Sequence, residues 1–230
     1  QFKLTTGIRN VRTYAGLDLE GSSYPVHFTE GQQSLKQKSA ELQWTGTALN
    51  DAIDFALGGF IFHEEGHDQS ISITVPALNP ATAHFYGLIN TDSVGAYGQV
   101  SWHLTDALTF TGGLRYSVDD KGLETRNNNY LRNTGMTVCS VIPVTPFNVG
   151  EVVGPAQCAF GRSDEFSGWS WTAGLDYRIN DDVMVYAKAS RGFRAGGQNL
   201  RAPNTAAFLP FLPETALSYE AGFKSELLDR

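Results

Sequence analysis

The most informative property of the chain is an alternation of apolar and polar residues at period two. From Val94 the even positions read Val94, Ala96, Gly98, Val100, Trp102 and Leu104, while the odd ones read Gly95, Tyr97, Gln99, Ser101 and His103. After Thr105-Asp106 the pattern resumes, with Leu108, Phe110, Gly112, Leu114, Tyr116 and Val118 set against Thr109, Thr111, Gly113, Arg115, Ser117 and Asp119. A third run opposes Trp169, Trp171, Ala173, Leu175, Tyr177 and Ile179 to Ser170, Thr172, Gly174, Asp176 and Arg178. A fourth sets Leu217, Tyr219, Ala221 and Phe223 against Ser218, Glu220, Gly222 and Lys224. Successive side chains of a strand point to opposite sides, so these runs predict strands with one apolar and one polar face.

Eight such segments are expected, at about 2–14, 34–48, 53–69, 92–104, 107–121, 165–179, 183–194 and 214–228. Most are about a dozen residues or longer, against the usual 5–6 of globular strands, and long enough for the roughly 9–11 residues of a tilted strand in a bilayer. The links between them alternate in length. Short turns fall at Leu49-Asn50-Asp51, Thr105-Asp106 and Asn180-Asp181-Asp182, residue types that accept turn dihedrals. Long links fall between them, at about 15–33, 70–91, 122–164 and 195–213. In an up-and-down antiparallel sheet all short turns then lie at one end and all long loops at the other, the asymmetry of outer-membrane barrels. Trp44, Trp102, Trp169, Trp171, Tyr116, Tyr177 and Tyr219 fall on the apolar faces, often near strand ends, where an aromatic interface belt would place them. The expectation is therefore an all-β, antiparallel, up-and-down transmembrane β-barrel.

Composition narrows the class further. With 41% hydrophobic and 18% charged residues the chain is not of a disordered type. A formal charge of −7 argues against a nucleic-acid partner, because phosphate binding needs clustered Lys and Arg. No apolar run approaches the roughly 18 residues of a membrane helix, and a β-barrel would leave none. The chain opens QFKLTTGIRN and closes ELLDR in mid-pattern, so it is expected to be a fragment of a longer protein.

Cys139 and Cys158 have 18 residues between them, in a stretch rich in Pro, Val, Thr and Asn. Paired, they imply an oxidising compartment and close a loop worth about 3 kcal/mol on the chain-entropy view. Two unrelated thiols are the alternative, and a metal pair is disfavoured because no close Cys or His cluster accompanies them.

Enzymatic signatures fail on context. His63-Glu64-Glu65-Gly66-His67 matches H-E-x-x-H, but that chemistry needs a helix to bring both imidazoles to one face. The preceding IDFALGGFIF is strand-like, and Gly66 lies within the motif. In an extended chain His63, Glu65 and His67 would also share a side, so a surface metal site is conceivable there, with a solvated strand end as the default. There is no G-x-S-x-G and no Walker loop, and neither cysteine has a nearby His. No enzyme, cofactor or resident metal is expected. SRGFRAGGQN, Ser190 to Asn199, reads as a strand rim bending into a loop, where Gly192, Gly196 and Gly197 would permit positive φ.

Two passages carry a family resemblance. YAKASRGFRAGGQN followed by FLPFLPETALSYEAGFKSELLD resembles a recurring part of the barrel of TonB-dependent receptors. The matching positions are Arg191-Gly192-Phe193-Arg194, Gly196-Gly197-Gln198-Asn199, Pro213-Glu214 and Tyr219-Glu220-Ala221-Gly222-Phe223-Lys224. AYGQVSWHLTDALTFTGGLRYSVDDKG, Ala96 to Gly122, is similar to another family passage: a strand, a Thr-Asp turn, then Gly-Gly-Leu-Arg-Tyr. The resemblance implies that residues 1–230 form about eight strands of a 22-stranded outer-membrane barrel from a Gram-negative bacterium, seated among lipid and lipopolysaccharide. It also implies a plug domain and TonB box outside this sequence, energy delivered through TonB, and import of a scarce nutrient, most often a ferric siderophore. Ligand capture would then fall on the long loops. Arg126, Tyr130, Arg132, Phe147, Arg194 and Arg201 are the residue types that suit an anionic, aromatic iron chelate. Two other readings stand beside it: a complete eight-stranded barrel with a structural or adhesive role, and a soluble β-sheet domain that binds sugar or protein.

Overall fold

The computed structural model describes residues 1–141 and 158–226. It is an antiparallel sheet of ten strands, with a single short 3-10 helix at Ala206–Phe208 among the described residues outside strands. The strands are β1 (Phe2–Asp18), β2 (His27–Ala48), β3 (Ile53–Thr74), β4 (Ala81–His103), β5 (Leu108–Thr125), β6 (Asn128–Leu131), β7 (Met136–Cys139), β8 (Phe160–Asn180), β9 (Val183–Arg194) and β10 (Glu214–Ser225). Eight of these follow one another in chain order across the sheet, β1-β2-β3-β4-β5-β8-β9-β10. The small hairpin β6–β7 attaches beyond the end of β5, where β6 pairs with β4. The sheet is not closed: β1 and β10 are its two edges. Among the described residues no helix is long and apolar enough to cross a membrane, which says nothing of β-barrel crossing.

The eight expected segments are all present, but several are much longer than the alternation indicated. The link expected at 15–33 contracts to the residues between Asp18 and His27, and that at 70–91 to those between Thr74 and Ala81. The 122–164 link holds the β6–β7 hairpin, and β5 and β8 each reach a few residues into it.

Register explains the discrepancy in β4, while β2 and β3 run past 34 and 69 through largely polar sequence. On one face of the sheet the turn-end half carries Ala40, Ile61, Val94 and Val118 side by side, with Trp44, Leu57, Gly98 and Leu114 two rows below. One row beyond Val94 the same face turns polar: Lys38, His63, Asp92, Asp120 and Glu165 are direct cross-strand neighbours. In β4, β5 and β8 apolar residues then move to the opposite face, as Phe85, Ile89, Leu123, Phe160 and Phe166, whereas Ile71 and Ile73 of β3 stay on the first. The period of two continues unbroken while its phase inverts. In β4 a reading keyed to one phase ends the strand at the inversion, at residue 92.

The two halves bury their apolar residues differently. In the turn-end half they stay exposed in this open sheet, among them Leu114 (49%) and Trp102 (46%). In the loop-end half Leu123, Val141, Ala202 and Phe208 form a small core, flanked by Ile89, Phe160 and Leu200. The segment 195–213 supplies Ala202 and Phe208 by folding back over the sheet. Phe208 meets Phe160 edge-on with centroids 5.1 Å apart.

Of the expected turns, only Leu49, Asn50 and Asp51 use left-handed backbone, with φ of 54°, 53° and 65°. Positive φ among described glycines occurs at Gly21 and Gly135, so the expectation of positive φ at Gly192, Gly196 and Gly197 is overturned. Gly196 is needed for another reason: a Cβ there would lie 2.2 Å from the carbonyl oxygen of Phe211. That close approach lets Gly197 and Phe211 form an isolated bridge, pinning the two ends of the folded-back segment together.

Candidate functional site

The sheet offers two separate surfaces, one on each face. The first is the polar face of the turn-end half, continued upward by segment 195–213. Phe60 and Phe62 lie on it in β3, with the Arg115 guanidinium 5.7 Å from the Phe60 ring centroid. Tyr97 donates to Glu41 at 2.7 Å and receives a longer bond from Gln43. Its ring lies across Gly58, where a Cβ would stand 2.3 Å from Tyr97 Cζ. These residues come from β2, β3, β4 and β5 in matched register, so they form one continuous polar and aromatic strip.

Above the strip, segment 195–213 is fastened by a network of polar contacts. Asn127 is fully buried; its Oδ1 accepts from the Tyr86 amide, and its Nδ2 donates to the carbonyls of Leu200 (2.7 Å) and Ala202. Lys121 donates to Gly196 O, and Gln198 donates to Lys121 O and to Asp164 Oδ2. Arg162 forms a two-pronged pair with Asp164. That pairing, helped by the Gln198 amide and opposed by partial burial, lowers the Asp164 pKa below its ordinary value. Arg201 rides on the segment with its guanidinium 5.7 Å from the Phe85 ring centroid.

The second surface is a cavity of about 750 Å³ on the other face, the face that carries the apolar band lower down. Gln32, Gln69 and Tyr86 form one cross-strand row in it, and Glu30, Ile71 and His84 form the next. Tyr14 closes one side, donating to Glu30 at 3.0 Å; that carboxylate raises the phenol's pKa and keeps it protonated. Arg126, Asn128 and Tyr130 close the other. The Arg126 guanidinium lies 5.5 Å from the Tyr86 centroid and pairs with Glu124 at 2.8 Å.

The residues singled out in the sequence therefore scatter. Arg126 and Tyr130 share the cavity, and Arg201 lies on the opposite face. Arg132 is committed to main chain, donating to the carbonyls of Thr74, Asn79 and Pro80. It acts as a clip between the end of β6 and the turn that joins β3 to β4. Arg194 is exposed at the β9 end, 3.7 Å from Glu214. Phe147 lies outside the described residues. Cys139 and Cys158 are joined in a disulfide that ties the end of β7 to the start of β8.

Residues missed in the sequence, chiefly Tyr14, Glu30, Gln32, Gln69, His84 and Tyr86, fell in or beside stretches read as loop. The run HFYGLIN was the available signal, since three rings and two branched aliphatics in seven residues favour a strand. His63, Glu65 and His67 lie on one face of β3 as the extended reading foresaw. They are engaged separately: His63 with Asp92 at 2.7 Å, Glu65 with Lys36, and His67 stacked on Tyr86. Among the described residues no group of three His, Cys, Asp or Glu could hold a metal ion.

Comparison with known proteins settles what this two-faced sheet belongs to. The family model "TonB dependent receptor-like, beta-barrel" matches residues 1–230. The chain belongs to that family. It is 27% identical over 143 residues to the pesticin receptors of Yersinia pestis and Yersinia enterocolitica, covering 62% of this chain and 18% of each relative. In fold it resembles the ferric yersiniabactin uptake receptor FyuA from Yersinia pestis, with a TM-score of 0.72 at 19% identity over 98% of this chain. It likewise resembles the ferric citrate transporter FecA, with a TM-score of 0.58 at 10% identity over 97% of the chain. The chain spans 30% and 29% of those two structures and is part of a TonB-dependent receptor barrel. In such a barrel the apolar band meets lipid, the polar face lines the interior, and the long loops lie outside the cell.

Proposed function

We propose that the chain forms part of the barrel wall of an outer-membrane receptor of a Gram-negative bacterium that imports a ferric siderophore. The observation that carries this reading is a pair of Arg–aromatic contacts on the polar face and the segment above it, Arg115 over Phe60 and Arg201 over Phe85, along the route a ligand takes into a barrel. A ferric chelate is commonly anionic and often aromatic, so guanidinium groups held over rings offer it both charge-assisted bonds and aromatic contact. The chain is similar to pesticin receptors and, in fold, to a ferric yersiniabactin uptake receptor, which supports the reading. Of the six residues suggested by the resemblance, Arg201 is the one we place on the ligand path. Arg126 and Tyr130 would serve only an encounter from outside, because the barrel wall separates their cavity from the interior. A plug domain and contact with TonB belong to the same reading and would come from other parts of the receptor.

The test is growth of a deletion strain, complemented with the full receptor, on a panel of ferric siderophores, haem, cobalamin and glycans as limiting nutrients. Rescue confined to one or more ferric siderophores is expected. Arg201→Ala and Arg115→Ala should each lower uptake of that chelate by about tenfold, the scale of one lost charge-assisted contact. Rescue only by a nutrient without iron would remove the siderophore reading and leave the family standing.

A further inference from the structure

The cavity between β1–β2 and the β6–β7 hairpin is not absorbed by import, because it opens on the wrong side of the wall. Its first row, Gln32–Gln69–Tyr86, lies eight residues along β2 from Ala40, the last apolar row. At about 3.3 Å per residue that is roughly 26 Å along the strand, and about 19 Å of height for a strand tilted near 45°. The cavity thus stands well outside the acyl layer, facing whatever surrounds the receptor at the cell surface.

Its chemistry is specific. Of the charged groups that line it, Arg126 is paired with Glu124, and Glu30 accepts from the Tyr14 hydroxyl while keeping its negative charge. An anionic chelate or a phosphate finds no spare positive charge there. The Gln32 and Gln69 amides are one cross-strand pair, and among the described residues neither side chain has a hydrogen-bond partner. Tyr14 and Tyr130, 73% and 41% exposed, present rings and hydroxyls from opposite sides. Flat rings facing planar, unpaired amides suit a ligand with apolar C–H faces and a rim of hydroxyls. The volume of about 750 Å³ lies in the range of small-molecule sites.

We infer that this outward-facing cavity is a binding site for a neutral saccharide, held at the cell surface and not transported. The inference rests on the barrel reading for its outward direction, but not on the identity of the imported nutrient. Two sources could supply the ligand: a free oligosaccharide, or the glycan of a neighbouring surface glycolipid.

The experiment uses the full-length receptor in detergent. It is titrated with neutral hexose and hexosamine oligosaccharides in one arm and with purified lipopolysaccharide in the other. Saturable binding in either arm is expected, and binding confined to the second identifies the glycolipid as the source. Gln69→Ala and Tyr130→Ala should each weaken it by about tenfold, as loss of a hydrogen bond or a ring contact implies. Tyr130→Phe, which keeps the ring, guards against a folding defect, and heat-modifiable gel mobility confirms a folded barrel in each case. Arg201→Ala should leave saccharide binding unchanged, and Gln69→Ala should leave siderophore uptake unchanged, so the two readings fail separately. Absence of saturable binding in both arms up to about 10 mM, or equal binding by the wild type and both alanine variants, overturns the inference.

Discussion

The two halves of each long strand obey the same alternation with opposite meaning. In β4 the turn-end half sends Val94, Val100 and Trp102 to one face, and the loop-end half sends Phe85 and Ile89 to the other. The first half is sorted by a lipid solvent, which accepts apolar side chains without needing them to be packed by protein. The second half stands in water, so its apolar residues must be covered, and segment 195–213 covers them with Ala202 and Phe208. The strand is one element and the solvent changes along it. The inversion at Val94/Asp92, Val118/Asp120 and Ile61/His63 marks that change of surroundings more sharply than any strand end does.

The largest effect on that contrast should come from emptying the small core at the loop end. Phe208 is 1% exposed, and Phe208→Ala should cost the docking of segment 195–213 about 3–5 kcal/mol, releasing it from the sheet while the barrel stays folded. Amide hydrogen exchange should find fast exchange in 195–213 and unchanged protection in the turn-end half of β4. Loss of protection throughout would mean that the two halves fold as one unit, with no separate core at the loop end.

A charge placed on the lipid-facing half is expected to come next. Leu114 is in the middle row of the apolar band, so Leu114→Arg should cost about 2–4 kcal/mol of barrel stability. Gln99→Arg, a row-neighbour on the polar face, should change it by less than about 1 kcal/mol. Urea unfolding of the full receptor from lipid vesicles measures both. Equal costs would contradict the assignment of faces.

The smallest effect concerns pH. The Asp164 pKa is lowered, first by its bond to Arg162. A carboxylate with a depressed folded-state pKa contributes fully above its unfolded value of about 4 and loses that contribution as pH falls through the lower folded value. Protection of segment 195–213 should therefore be flat from neutrality to about pH 5 and decline in stronger acid. Asp164→Asn should remove that acid-dependent part. A decline already complete at pH 6 would assign the sensitivity to a different group.

Much of the architecture was legible in the residues. Period-two runs located all eight long strands, the Asn/Asp turns placed the short connections at one end, and motifs such as YEAGFK and GGLRY pointed to the family. What failed was the extent of β2, β3 and β4: in β4 the alternation changes phase near residue 92, and β2 and β3 run on past 34 and 69 through largely polar sequence. The candidate site suffered accordingly. Arg126, Tyr130 and Arg201 all looked like loop residues with equal claims, whereas register puts the first two behind the wall and the third in front of it. Arg132 looked like a ligand group and is a main-chain clip.

By itself the sequence determined the local rule, since strand alternation and turn chemistry depend on neighbours a few residues apart. It also determined which side chains share a face within each run. Only the tertiary structure decided which face is wet at a given height, because that depends on the register of five or more strands and on where a distant segment folds back. Asn127 illustrates the difference: nothing near it in sequence foretells that its amide will bind the carbonyls of Leu200 and Ala202, more than seventy residues away.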